Sequence, residues 1–151
     1  MASSNKHERV LANGASVAVD YTHADWSKQV LHATGGNGVD IFLDADGNLG
    51  GESLDVLARK ARWIAYGIQN TALKPFPVDR QWDFIFKNVT LRGYTIDTDF
   101  DEFPEAMPEL LSWVESGSVN ISVTGFALAD ARKAHAAVEA RKTTGKVVLI
   151  P

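Results

Sequence analysis

The stretch VDIFLDADGNLGG, residues 39–51, decides the fold. Its first six residues form a nearly unbroken apolar run between two acids, the pattern of a strand buried on both faces of a parallel sheet. The glycines of GNLGG (47–51) then end the strand in a turn, and the pattern over 52–61 predicts a helix. RWIAYG at 62–67 is a second buried, strand-like run. Strand, helix and strand in this order make a right-handed crossover unit, because parallel neighbours need a connection of a dozen or more residues.

Working outward, the same alternation continues in both directions. Downstream, PFPVD (75–79) breaks the chain and opens a short amphipathic helix carrying Trp82, Phe84 and Ile85, followed by a strand at NVTLRGY (88–94). A helix over 104–116 starts with Pro104 in its first turn, where proline is tolerated, with Pro108 close behind. VNISVTGFAL (119–128) reads as a strand, 129–141 as a helix and GKVVLI (145–150) as a closing strand. Upstream, NKHERVLAN (5–13) reads as helical and SVAVDY (16–21) as a strand. Asp25 opens a helix through Ala33 with Trp26, Val30 and Ala33 as its apolar stripe, and TGGNG (34–38) ends it. The prediction is an α/β chain built on a parallel sheet, organised as one domain over 1–151, with the part from about residue 118 set slightly apart.

Bulk composition narrows the function. The 151 residues carry a net charge of −4, which argues against the clustered basic surface of a nucleic-acid binder. No cysteine is present, so disulfides, thiolate metal sites and thiol nucleophiles are excluded. No apolar run approaches the roughly 20 residues that span a bilayer, and MASSNKHERV lacks a secretory apolar stretch. A cytoplasmic location is the expectation.

The residues that could carry chemistry are few. Neither GGNG (35–38) nor GNLGG fits G-x-G-x-x-G or the P-loop pattern. GGNG follows a helix and precedes a strand, the wrong order for gripping a pyrophosphate, and reads as a turn. GNLGG sits between strand and helix, where a plain βα turn and a ligand-facing turn both remain open. His7, His23, His32 and His135 share no metal-ligand spacing. Asp40, Asp44 and Asp46 surround one strand, and solvation of the strand ends is the simpler account of them. Trp26, Trp63, Trp82 and Trp113 sit in apolar stripes and are expected in a core or an interface.

Taken in order, ASSNKHERVLANGASVAVDY (2–21), TGGNGVDIFLDADG (34–47), RWIAYG, KNVTLRGY and RKTTGKVVLIP (141–151) resemble the medium-chain dehydrogenase/reductase superfamily, within it the zinc-free, NADPH-dependent quinone oxidoreductases. The resemblance covers nearly the whole chain. It implies an incomplete Rossmann-like parallel sheet flanked by helices, without the first βαβ unit and its glycine loop, the segment from about 118 corresponding to the return toward a catalytic domain. It implies NADP as cofactor. Ser3, Ser4, Lys6 and Tyr21 match the residues that surround the adenosine 2′-phosphate, a chemistry suited to an ammonium and hydroxyls. Gly47, Tyr66, Gly67 and Asn70 match segments lining the ribose and nicotinamide. Asp46 departs from the family, which carries an apolar residue before that glycine, and its carboxylate would repel a phosphate-bearing ligand.

The same resemblance places central strands ahead of residue 2. An uncovered central edge is costly, so the sheet is expected to close up by pairing 16–21 directly with 39–44, or chains are expected to complete each other as a homodimer. Two functions stay open. One is the cofactor-domain part of a quinone oxidoreductase, transferring hydride to a quinone or enone and weakly active or inactive alone. The other is a non-catalytic, truncated Rossmann-like homodimer or ligand-binding module. A third arrangement, half of a complex completed by a separately encoded part, fits the sequence equally.

Overall fold

The computed structural model describes residues 1–47, 51–67 and 78–151. A 3-10 turn at Ser4–Lys6 runs into α1 (His7–Ala12), and α2 is Trp26–Ala33. Then come β1 (Val39–Asp44), α3 (Glu52–Asp55), β2 (Leu57–Ala65), α4 (Gln81–Lys87) and β3 (Thr90–Gly93). The chain continues through α5 (Phe103–Glu115), β4 (Val123–Ala127), α6 (Ala131–Glu139) and β5 (Lys146–Ile150). Strands β1, β2 and β3 form one parallel sheet in that order, and β4 and β5 pair in parallel as a second. Each parallel step is bridged by a helix, as the crossover rule requires. The chain is mixed α/β, with parallel sheets flanked by helices.

The core forms where β2 meets its neighbours. Leu54, Leu57, Ala61, Trp63 and Val89 are buried together, with Val39, Phe42 and Phe84 packed against them. Trp63 is wholly buried and meets Phe42 edge to face at 5.5 Å between ring centroids, a favoured aromatic geometry. A second cluster of Val19, Val30 and Val56 packs with Trp26 and shares Val39. Of the other two tryptophans, Trp82 is 66% exposed on α4 and Trp113 42% exposed on α5, so neither belongs to the core of this chain.

Four expectations are corrected. The helix expected over 52–61 is only four residues long, and β2 begins at Leu57. The sheet register jumps from Val39↔Leu57 to Ile41↔Arg62, and Lys60 takes left-handed backbone at φ 64°. Burying Leu54, Val56, Leu57 and Ala61 against the sheet therefore overrides the helical periodicity of this stretch. Second, SVAVDY joins no ladder and does not pair with β1; it buries Val19 and Asp20 and accepts one backbone bond at Val19, from the Ala2 N–H at 3.0 Å. Third, among the described residues β1 is an edge strand, with Ile41 49% and Leu43 64% exposed, not a strand covered on both faces. Fourth, α5 starts at Phe103 because a 3-10 turn over Phe100–Glu102 feeds into it, so Pro108 lies inside the helix. The break expected at 75–79 falls largely outside the described residues.

Four helices close with the same device, in which a left-handed residue and its successor turn their N–H groups back onto the last turn. On α1 the left-handed residue is Gly14, with Ala15 N donating to the Val10 carbonyl at 3.3 Å. On α2 the left-handed residue is Gly35, with Gly36 N donating to the Leu31 carbonyl at 2.7 Å. On α4 it is Asn88, with Val89 N donating to the Phe84 carbonyl at 3.2 Å. On α6 it is Arg141, with Lys142 N donating to the Ala137 carbonyl at 3.0 Å. Glycine is free of the Cβ clash and asparagine tolerates it; arginine has neither advantage.

The end of the short α3 is closed from outside. The Lys87 ammonium donates to the carbonyls of Leu54 (2.6 Å), Asp55 (3.2 Å) and Leu57 (2.9 Å), and burial pushes its pKa below the ordinary lysine value. Replacing it by methionine keeps the stem and removes all three donors. Lys87→Met is expected to lower unfolding free energy by about 1–3 kcal/mol, read from the urea midpoint at unchanged slope.

Candidate functional site

The carboxyl ends of β1 and β2 lie level, with Asp44 opposite Ala65. Open parallel sheets bind ligands at this end. Just beyond, Gly67 packs so closely on β1 that a Cβ there would stand 2.4 Å from the Ala45 carbonyl oxygen. Only glycine lets the two chains leave the sheet side by side.

Asp44 organises the turn that follows β1. It is 5% exposed. Its Oδ1 accepts from the backbone N–H of Asp46 at 2.9 Å and of Gly47 at 3.0 Å, while Oδ2 accepts from the Trp63 indole Nε1 at 3.2 Å. Solvation of a strand end, the account offered by the sequence, does not describe Asp44. The residue is an internal acceptor holding core and turn together.

Above this turn lies a cleft of about 460 Å³ whose lining includes Tyr21, Trp26, Phe42, Asp46, Ser53 and Arg141. The volume falls within the usual range for small-molecule sites. Arg141 enters from the cap of α6. Its Nη1 donates to the Tyr21 hydroxyl at 3.0 Å, and its Nη2 stands 3.9 Å from Asp46 Oδ1. The hydroxyl accepts that bond and keeps its own hydrogen, so Tyr21 and Arg141 together present donors to an anion in the cleft.

The residues expected to surround a phosphate divide into two groups. Tyr21 lines the cleft. Ser4 does not offer its donors there: its backbone N–H (2.8 Å) and its hydroxyl both go to the buried Asp20 carboxylate. The Ser3 hydroxyl donates to Asn5 Oδ1 at 2.8 Å. Lys6 Nζ donates to the Thr143 carbonyl at 3.0 Å, two residues from Arg141, and keeps two further N–H donors. Gly47, Tyr66 and Gly67 sit at the ends of β1 and β2, outside the residues lining the cleft, with Tyr66 N donating to the Asp44 carbonyl at 2.9 Å. Asn70 and residues 48–50 of GNLGG lie outside the described residues.

Arg141 and Asp44 are the site residues that motif reading missed. The only sequence trace of Arg141 is the cationic run R-K-T-T-G-K before the last strand; nothing local signals that Asp44 is buried. Among the described residues, no group of three or more His, Asp or Glu side chains is placed to hold a metal ion. No helix among them is long and apolar enough to cross a membrane.

Comparison with known proteins gives the same frame. A family model described as zinc-binding dehydrogenase matches residues 13–149. The quinone oxidoreductase of Salmonella typhimurium is 31% identical over 99% of the chain and 47% of its own length. The structure of Escherichia coli quinone oxidoreductase complexed with NADPH superposes with a TM-score of 0.84 at 26% identity, over 99% of this chain and 47% of that one. The quinone oxidoreductase of Pseudomonas syringae pv. Tomato superposes with a TM-score of 0.80 at 28% identity, over 100% and 47%. The chain thus spans about half the length of the relatives it matches.

Asp20 ties the entry segment to the site. Besides Ser4, its carboxylate accepts from the Thr22 N–H at 2.9 Å and the Thr22 hydroxyl at 2.7 Å. The Ser4 hydroxyl first, then Thr22, hold its pKa far below the ordinary carboxylate value. A carboxyl group depressed on folding stabilises above its unfolded pKa, near 4, and that contribution fades as pH falls below it. Asp20→Asn is therefore expected to lower the melting temperature at neutral pH. The gap from the parent chain should stay constant down to about pH 5 and narrow steadily as pH drops from about 5 to about 2.

Proposed function

Because the chain belongs to the zinc-binding dehydrogenase family, we propose that it is the NADPH-binding part of a quinone oxidoreductase-type enzyme of the zinc-free branch. The observation that carries this reading is Arg141, held in left-handed backbone at the cap of α6 and bonded to Tyr21 inside the cleft at the ends of β1 and β2. Strained backbone is retained where the side chain is needed, and nothing in the fold of α6 itself calls for arginine there.

In this reading the Arg141 guanidinium and the Tyr21 hydroxyl bind the 2′-phosphate of the adenosine, and Lys6 adds its remaining donors from the neighbouring Thr143 strap. The Asp44-anchored turn and the Gly67 approach form the floor beneath the ribose. A bound nicotinamide supplies the hydride, and the protein orients it. The zinc-free branch and a cytoplasmic setting are part of this reading, the 151 residues offering no thiolate ligand of their own. Reduction of a quinone or enone is the reaction of the whole enzyme. The 151 residues alone, about half the length of their relatives, are proposed to turn over weakly or not at all.

A second reading, a non-catalytic homodimer, is supported by the free edge of β1 with its exposed Ile41 and Leu43 and by the exposed Trp82, Ile85 and Phe86 of α4. Uncovered edges and apolar faces of this kind invite a second copy.

Titration calorimetry with NADPH and NADH tests the first reading. Tighter binding of NADPH is expected, and Arg141→Gly should weaken NADPH by about tenfold or more while leaving NADH within about twofold. The same variant should keep or raise the melting temperature, since glycine suits left-handed backbone, so lost binding cannot be put down to misfolding. Equal loss for both nucleotides refutes the 2′-phosphate role. For the second reading, light scattering coupled to size exclusion is expected to return twice the chain mass, and a monomer at all concentrations would end it.

A further inference from the structure

Asp46 has no role in the binding arrangement just described, yet its backbone is tied to the core. Its backbone N–H is held at 2.9 Å by the buried Asp44, which is held in turn by the core indole of Trp63. The turn therefore fixes where the Asp46 side chain leaves the backbone. Its carboxylate lines the cleft and stands 3.9 Å from Arg141 Nη2, while Nη1 of the same guanidinium reaches Tyr21. One cation is thus shared between a hydroxyl that helps to bind an anion and a carboxylate that competes with it.

We infer that Asp46 is a specificity-determining residue of this cleft: it draws on the Arg141 charge and so reduces discrimination in favour of a 2′-phosphorylated nucleotide. The inference rests on the nucleotide reading given above. A 2′-phosphate seated on Tyr21 and Arg141 has to replace the Asp46 carboxylate at the guanidinium and approach it against like-charge repulsion. A nucleotide with a free 2′-hydroxyl makes no such demand, and a hydroxyl can donate to a carboxylate. Asp46 therefore penalises the phosphorylated ligand selectively, through Arg141. Both side chains are substantially exposed, at 44% for Asp46 and 57% for Arg141, so the effect is that of a solvated pair, modest and screened by salt.

The test uses the full chain with four variants, Asp46→Ala, Asp46→Asn, Arg141→Gly and the Asp46→Ala/Arg141→Gly pair, titrated with NADPH and with NADH. Both Asp46 variants are expected to bind NADPH about fivefold more tightly, the upper range for an exposed ion pair, with NADH changed by less than about twofold. In the Arg141→Gly background the NADPH gain should disappear. A second readout follows Arg141 itself, as the rate of its modification by phenylglyoxal measured on the isolated peptide, which should rise in Asp46→Ala without any nucleotide present. Unchanged NADPH selectivity in chains that bind it, or the same gain with and without Arg141, overturns the role of Asp46 alone. If no variant binds NADPH, the nucleotide reading fails and the specificity role fails with it.

Discussion

The buried carboxylate of Asp44 connects the two halves of the molecule's logic. On one side it accepts from the indole of Trp63, the largest fully buried side chain of the core. On the other it accepts from two successive amides of the turn after β1. A buried carboxyl group is tolerated only when its oxygens are hydrogen-bonded, and three donors do that here. The consequence is geometric. Packing of Phe42 on Trp63 sets the height of Asp44, and Asp44 sets the turn that floors the cleft. Small changes in the core are therefore transmitted to the site through hydrogen bonds rather than through loose contact.

The loops that bring charge to the cleft show a different balance between stability and role. Four helices use one cap geometry, with glycine in the left-handed position of two, asparagine in one and arginine in one. Gly35 and Asn88 suit the local backbone. Arg141 does not, and it is the one whose side chain reaches the cleft. The segment 141–143 also receives Lys6 through Thr143 and Tyr21 through Arg141. Residues more than a hundred positions apart are thereby gathered around one opening.

Among the described residues, apolar surface is left uncovered along the β1 edge, on the outer side of α4 and along α5. On α4 the stacked rings of Trp82 and Phe86 face outward at 5.7 Å between centroids. For a chain spanning about half the length of its relatives, such surfaces are a physical constraint on how it exists in solution.

The sequence by itself determined the class of fold, the parallel crossovers and the family. Hydrophobic period and turn residues are local properties, legible in VDIFLD, RWIAYG and the glycines of TGGNG. It also pointed to Tyr21 and Lys6, because the resemblance carried them by position. It did not reveal that β2 begins at Leu57, that SVAVDY stays out of the sheet, or that Ser4 is tied to Asp20. Each of these turns on which distant group wins a hydrogen bond or a place in the core. Arg141 and Asp44 are the clearest cases: one is a cation in an unremarked run, the other an acid at a strand end. Only the tertiary structure, by burying one beneath Trp63 and swinging the other onto Tyr21, made them the centre of the site.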